Sequence, residues 1–97
     1  MKIVGLQNEN QDEIAEMTVR LEGLMENAPS DATATLLIRK EGSDYQGLLK
    51  IRSLRNKFVS ACRAPNFKQM VDNIMRDTKR QIDDWKKERT NSLSYSS

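Results

Sequence analysis

The sequence predicts an α+β fold in which one mixed four-stranded sheet carries two helices packed on one face. Apolar residues recur at helical spacing in residues 11–27 and again in residues 67–89. Segments rich in β-forming residues occupy 1–7, 33–40, 48–54 and 57–64. The order is therefore β-α-β-β-β-α, and a sheet covered on one face buries both apolar helical stripes in a single core.

The strands are bounded by turn residues and show the alternation expected of a sheet with one open face. Ile3 and Val4 mark the first strand, and no breaker interrupts 33–40. In the third strand Leu49 and Ile51 point one way, whereas Lys50 and Arg52 point the other. Turn chemistry at 41–44 and 54–56 separates the last three strands, and Gly42 and Gly47 are interpreted as turn glycines.

Each helix begins with a capping signature. Asn10 is followed three residues later by Glu13, and Asn66 by Gln69, which is the spacing of a capping box. In the first helix the apolar positions are Ile14, Met17, Leu21, Leu24 and Met25. In the second they extend over nearly five turns: Phe67, Met70, Val71, Ile74, Met75, Thr78, Ile82 and Trp85. Trp85 is expected in the core or at its edge, rather than stacked on a base.

The chain is expected to form a single domain with a short tail. Its 97 residues and 11.2 kDa favour one domain, assigned to 1–89. The serine-rich residues 90–97 are expected to be a flexible tail. No apolar run reaches the roughly 20 residues that span a bilayer, and the N-terminus has no secretory apolar region. With Cys62 as the one cysteine, a cytoplasmic protein is expected.

The composition argues against an enzyme. The chain has no histidine, so it lacks the commonest general base and the commonest zinc ligand. Without histidine to activate it, Cys62 is expected to be a small buried side chain. We therefore expect no catalytic residue, metal, cofactor or small-molecule substrate. A metal-dependent enzyme built on Glu41, Asp72 or Asp77 remains a third alternative, without a clustered carboxylate motif behind it.

Charge is sorted along the chain. Residues 1–31 hold two basic and seven acidic residues, a net charge of −5, whereas residues 32–97 hold 14 basic and seven acidic residues, a net charge of +7. No acidic residue occurs between positions 50 and 63, where five basic residues lie. This asymmetry favours a surface that binds a polyanion. The alternative is that these basic side chains keep a sheet soluble and blunt its edges.

The solvent side of the second helix is also sorted by charge. At 100° per residue, the charged side chains fall into three rows along the helix. Opposite the apolar stripe lie Arg76, Arg80 and Lys87. One flank carries Lys68, Lys79 and Lys86, and the other carries Asp77, Asp84 and Glu88. Basic rows at this spacing can follow a phosphate backbone. The alternative is pairing within the helix, as Asp72–Arg76, Asp83–Lys87 and Arg80–Asp84.

The candidate RNA-binding residues come from the basic segment 50–63 and from the second helix. Polyanion binding requires all of them to form one surface. They are Lys50, Arg52, Arg55, Lys57, Arg63, Lys68, Arg76, Lys79, Arg80, Lys86 and Lys87.

The last strand and helix resemble a known family. Residues 57–89 are similar to the closing strand and helix of the ribosome hibernation promoting factor family, also called ribosome-associated inhibitor or sigma factor modulation proteins. The matching steps are Val71-Asp72, Ile74-Met75, Arg80-Gln81-Ile82 and Lys86-Lys87. The element order also matches. The first helix departs from the family, since it carries Arg20 as its one basic residue among five acids.

The resemblance implies a divergent short form of this bacterial family. Such a protein is a cytoplasmic, non-enzymatic translation regulator of the stress response that binds small-subunit ribosomal RNA and blocks the mRNA and tRNA sites. The resemblance places five residues against that RNA: Arg76, Lys79, Arg80, Lys86 and Lys87. A monomer is expected, with a dimer as the other state. The alternative function is a protein–protein regulatory module with no RNA partner, and a membrane partner is not expected.

Overall fold

The structure, a computed structural model, describes residues 2–5 and 11–95, and side chains as far as residue 88. Its elements are β1 (Lys2–Val4), α1 (Gln11–Met25), β2 (Thr33–Glu41), β3 (Asp44–Arg52), β4 (Lys57–Ala64) and α2 (Phe67–Tyr95). This order confirms the β-α-β-β-β-α prediction. Among the described residues, no helix is long and apolar enough to cross a membrane.

The four strands form one mixed sheet in the order β1-β2-β3-β4. β1 runs parallel to β2, and the other neighbours are antiparallel. A parallel pair needs a crossover connection, and α1 supplies it. Both helices lie on one face of the sheet, as predicted, because α1 packs against α2, and α2 packs across β3 and β4.

β3 begins at Asp44, four residues before its predicted start, because the turn before it is tighter than expected. Only Gly42 and Ser43 lie between the paired residues Glu41 and Asp44. Gly42 has a φ of +63°, whereas Ser43 has no positive φ. A positive φ at the first of two central residues is the pattern of a type II′ hairpin turn, which suits the twist of the strands.

Gly47 is not a turn glycine, so that prediction is wrong. It lies inside β3, between Ile38 of β2 and Cys62 of β4, and it is buried. A Cβ atom at this position would lie 2.4 Å from Met70 Sδ and 2.5 Å from Ile74 Cδ1. The missing side chain therefore lets α2 pack directly on the backbone of β3.

The core lies between the sheet and the helices. Met17 and Leu21 are its buried residues from α1, and Met70, Ile74 and Ile82 are among those from α2. The sheet contributes alternate residues from three strands: Ala34, Leu36, Ile38, Leu49, Ile51, Phe58 and Ala64. At one edge the rings of Phe58 and Trp85 meet edge to face, with centroids 6.0 Å apart, which confirms the expected position of Trp85.

α2 begins as predicted and continues past its predicted end. The Asn66 side-chain oxygen accepts a hydrogen bond from the Gln69 backbone N–H at 2.8 Å, which confirms the N-cap. The helix reaches Tyr95, beyond residue 89. The flexibility of the tail stays a prediction. The Asn10 cap and residues 1, 6 and 7 of the predicted first strand lie outside the described residues.

Candidate nucleic-acid interface

The candidate RNA-binding residues fall on two opposite faces of the molecule. Four of them, Lys50, Arg52, Lys57 and Arg63, are exposed and alternate along β3 and β4 with residues buried under the helices. Successive side chains of a strand point to opposite faces, so these four point away from the helix layer. The basic residues of α2 lie on the helix layer itself. The expectation of one continuous surface is therefore wrong, and the binding role of each residue stays a prediction.

The open face of the sheet combines cations with aliphatic side chains. Leu37 and Val59 are 38% and 39% exposed, and they lie among the cations of β2, β3 and β4. Arg63 is already paired with Asp44, at 3.0 Å between Nε and the carboxylate. None of the described residues on this face is aromatic, so it offers no ring on which an RNA base could stack.

The outer surface of α2 gathers four cations, which we call the α2 ridge: Arg76, Lys79, Arg80 and Lys87. All four are exposed, and they line one shallow depression with Asp83 and Asp84. Lys79 pairs with Asp83 at 3.6 Å, and Arg80 pairs with Asp77 at 2.6 Å. The ridge therefore contains two cations held by neighbouring carboxylates and two others.

The other two cations, Arg76 and Lys87, form no ion pair within the described part of the chain. The alternative of pairing within the helix would join Arg76 to Asp72 and Lys87 to Asp83. In the structure Asp72 instead pairs with Arg20 of α1, at 2.5 Å, and Asp83 pairs within the ridge. Arg76 and Lys87 are thus available to an anionic ligand.

Arg80 is engaged in a network that protects the edge of the sheet. It donates to Asp77, which lowers the pKa of that carboxyl and raises the pKa of the Arg80 guanidinium. Gln81 donates to Asp77 at 3.0 Å and to the Val59 carbonyl at 2.8 Å, and it accepts from the Val59 N–H at 3.3 Å. A side-chain amide thus covers exposed backbone groups of the edge strand β4.

A groove of about 720 Å³ runs between the two helices, and we call it the interhelix groove. Two contacts cross the groove: Arg20 of α1 pairs with Asp72 at 2.5 Å, and Lys86 Nζ of α2 donates to Oδ1 of Asn27, in the turn after α1, at 2.8 Å. Its lining is Arg20, Gly23 and Leu24 from α1, Asn27 from the turn after it, and Asp72, Met75, Arg76, Lys79, Ile82 and Asp83 from α2.

The acidic residues of the α1 region do not line the interhelix groove. They are Asp12, Glu13, Glu16 and Glu22 of the helix and Glu26 of the turn after it. The two carboxylates that do, Asp72 and Asp83, are each paired with a cation. Acids of α1 therefore do not line the part of α2 that faces the interhelix groove, whereas Glu13 and Glu16 lie beside the start of α2.

The remaining candidates lie in other surroundings. Lys68 lines a small depression with Glu13 and Glu16, so acids of α1 oppose it. Arg55 lies in the β3–β4 loop, in a depression that Trp85 also lines. Among the described residues, no three acidic, cysteine or histidine side chains come together to hold a metal ion.

Sequence reasoning missed the α1 side of the interhelix groove. Arg20, Gly23 and Leu24 follow the spacing i, i+3, i+4, so they share one helix face, and Asn27 follows in the turn after α1. The spacing is present in the sequence, but only the apolar stripe and the acids of the first helix were interpreted.

The Arg20–Asp72 pair is expected to contribute modestly to stability. We expect a double-mutant cycle with Arg20→Met and Asp72→Asn to give a coupling free energy of about 0.5–1 kcal/mol, because 37% of each side chain is exposed to screening solvent. Urea unfolding of the four proteins measures it. A coupling indistinguishable from zero would show that the pair does not fasten α1 to α2.

The fold is similar to that of several solved structures. The protein Y N-terminal domain of Thermus thermophilus superposes with a TM-score of 0.72 at 13% identity, covering 87% of this chain and 94% of that one. A ribosomal subunit interface protein of Coxiella burnetii gives a TM-score of 0.65 at 11% identity, covering 89% and 93%. No family model and no curated protein matches the sequence. The chain thus shares its fold with the N-terminal domain of protein Y and with a ribosomal subunit interface protein, over nearly the full length of both solved chains.

Proposed function

We propose that this chain is a non-enzymatic, cytoplasmic regulator of translation that binds the small ribosomal subunit through its RNA and occupies the mRNA and tRNA sites. The observation that carries the proposal is the α2 ridge, on a fold shared with a ribosomal subunit interface protein. The protein acts by occupancy, so the bound domain needs no catalytic group.

The length of the α2 ridge suits a strand of RNA. Arg76 and Lys87 are eleven residues apart, which corresponds to about 16 Å along a helix axis. A ridge of this length can contact several successive phosphates of one strand. Arginine contacts a phosphate through two parallel N–H groups, whereas lysine acts as a point charge. Such contacts bind RNA with little regard to its base sequence.

Binding to small subunits is expected to depend steeply on salt. With four phosphates neutralised by the α2 ridge, raising the salt from about 50 to about 200 mM should lower the affinity by roughly 50- to 150-fold. Co-sedimentation of the protein with purified small subunits measures this, with large subunits as the control. Absence of binding at about 50 mM salt, or binding that ignores salt, would refute the proposal.

A protein–protein regulatory module is the second candidate function, and the open sheet face favours it. The aliphatic side chains Val4, Leu37 and Val59 are partly exposed there beside cations, with no aromatic ring among the described residues of that face. An apolar band with a charged surround is typical of protein-binding surfaces. Complexes isolated from cells and treated with nuclease separate the two functions: partners that survive digestion of the RNA support this one.

A further inference from the structure

Gly23 has no explanation within the fold. It lies near the C-terminal end of α1, where glycine is a poorer helix former than any residue except proline. The described glycines with a positive φ are Gly5 and Gly42, so the backbone does not require glycine here. A Cβ atom at Gly23 would meet nothing within 4 Å, so packing does not require it either. The space above Gly23 is open and belongs to the interhelix groove.

The walls of the interhelix groove have the chemistry of a nucleotide site. Leu24, Met75 and Ile82 give it an apolar floor. Arg20, Arg76 and Lys79 give it a cationic rim, where Arg76 has no ion-pair partner among the described residues. A flat, largely apolar base suits such a floor, and its phosphates suit such a rim. The volume of about 720 Å³ lies in the usual range for small-molecule sites.

We propose that the interhelix groove receives one unpaired nucleotide of the RNA bound by the α2 ridge. Its base lies over the Gly23 backbone and Leu24, and its phosphates contact Arg76 and Lys79. The inference rests on the proposed function and deepens it. An unpaired nucleotide is chosen because bases splayed out of a single strand can enter a groove between two helices, whereas a duplex presents its bases stacked and paired. Gly23 is then a contact residue, because any side chain would fill the space that the base needs.

Gly23→Met tests the inference, with Ala15→Met as the matched control. Both variants add the same uncharged, helix-forming side chain to an exposed position of α1, but Ala15 does not line the interhelix groove. We expect Gly23→Met to lose about tenfold or more in affinity for small subunits at low salt, because its side chain would occupy the space assigned to the base. Ala15→Met is expected to bind within about twofold of the wild type.

Thermal melting distinguishes a variant that has lost stability from one that has lost affinity. Gly23→Ala is expected to raise the Tm by about 4–8 °C while lowering the affinity by about threefold, a more stable protein that binds less well. If Gly23→Met melts below the wild type, Gly23→Ala becomes the deciding variant.

Two negative results are distinguishable. Wild-type affinity in the folded Gly23 variants overturns the inference and leaves the proposed function standing. Absence of binding by the wild-type protein itself overturns both.

Discussion

The double variant Arg76→Glu/Lys87→Glu is expected to bind small ribosomal subunits about a hundredfold more weakly at low salt. It reverses the two cations of the α2 ridge that form no ion pair among the described residues. Each replacement removes a charged hydrogen bond to phosphate, and two such losses amount to about 3 kcal/mol or more. The dependence of log affinity on log salt should become shallower by about two units, because two fewer phosphates are neutralised. Sedimentation over a salt series gives both quantities.

The matched control reverses two cations on the opposite side of the molecule. Lys50→Glu/Arg52→Glu alters exposed residues of β3 on the open sheet face. Because each replacement removes one positive and adds one negative charge, both double variants lower the formal net charge from +2 to −2. We expect the control to bind within about threefold of the wild type. Salt screens the altered charges of the sheet face from RNA bound on the opposite side of the molecule. Equal losses in the two variants would contradict a footprint on α2.

The choice of residues within the α2 ridge matters for this test. Glutamate at position 80 would face Asp77 and Asp84, because Arg80 donates to the first and feels the charge of the second. Its loss of binding could then come from a disturbed helix. Arg76 and Lys87 have no ion-pair partner among the described residues, so their reversal breaks no ion pair there. Glutamates at 76 and 87 would lie one turn from Asp72 and Asp83, so thermal melting of the double variant must show that it is folded.

The separation of the basic residues onto two faces was predictable from the sequence. Leu49 and Ile51 had to face the helices, so Lys50 and Arg52, one residue out of phase, had to face away from them. The alternation was recognised, but its consequence for a joint surface with α2 was not. Charge counted along the chain carries no information about the face on which it lies.

Other features depend on how the helices and strands pack against one another, and the sequence did not predict them. The Asn66 cap and β4 are local, and both were predicted at their observed positions. The Arg20–Asp72 pair joins residues 52 positions apart, so it depends on how α1 crosses α2. The interhelix groove depends on the same crossing, which no periodicity within one helix determines.

Gly47 shows how a local signal can mislead. Glycine after a run of turn residues indicates a turn, and the sequence places Gly47 three residues after Asp44. In the structure the turn is already complete at Ser43, and Gly47 lies where α2 approaches the sheet. Its conformation is ordinary, so the reason for glycine is the close approach of the α2 side chains.

Gly47→Val is therefore expected to be the most destabilising of the substitutions considered, lowering the free energy of unfolding by about 3 kcal/mol. The added Cβ alone would lie 2.4 Å from Met70 Sδ and 2.5 Å from Ile74 Cδ1, so both side chains must move in a packed core. For a domain of this size the Tm should fall by about 12–24 °C. Ala61→Val, on the exposed face of the neighbouring strand, is the control and should stay within about 0.5 kcal/mol.

A second substitution separates overpacking from a simple loss of strand stability. Ile74→Val removes the Cδ1 atom that valine at position 47 would strike, and on its own it should lower stability by about 0.5–1.5 kcal/mol. If the clash is the cause, the double variant will be less destabilised than the sum of the two single variants, because the space vacated at position 74 is the space needed at position 47. Strict additivity in urea unfolding would mean that α2 does not rest on β3 at this point. The helix layer that carries the proposed RNA site would then be positioned by other contacts.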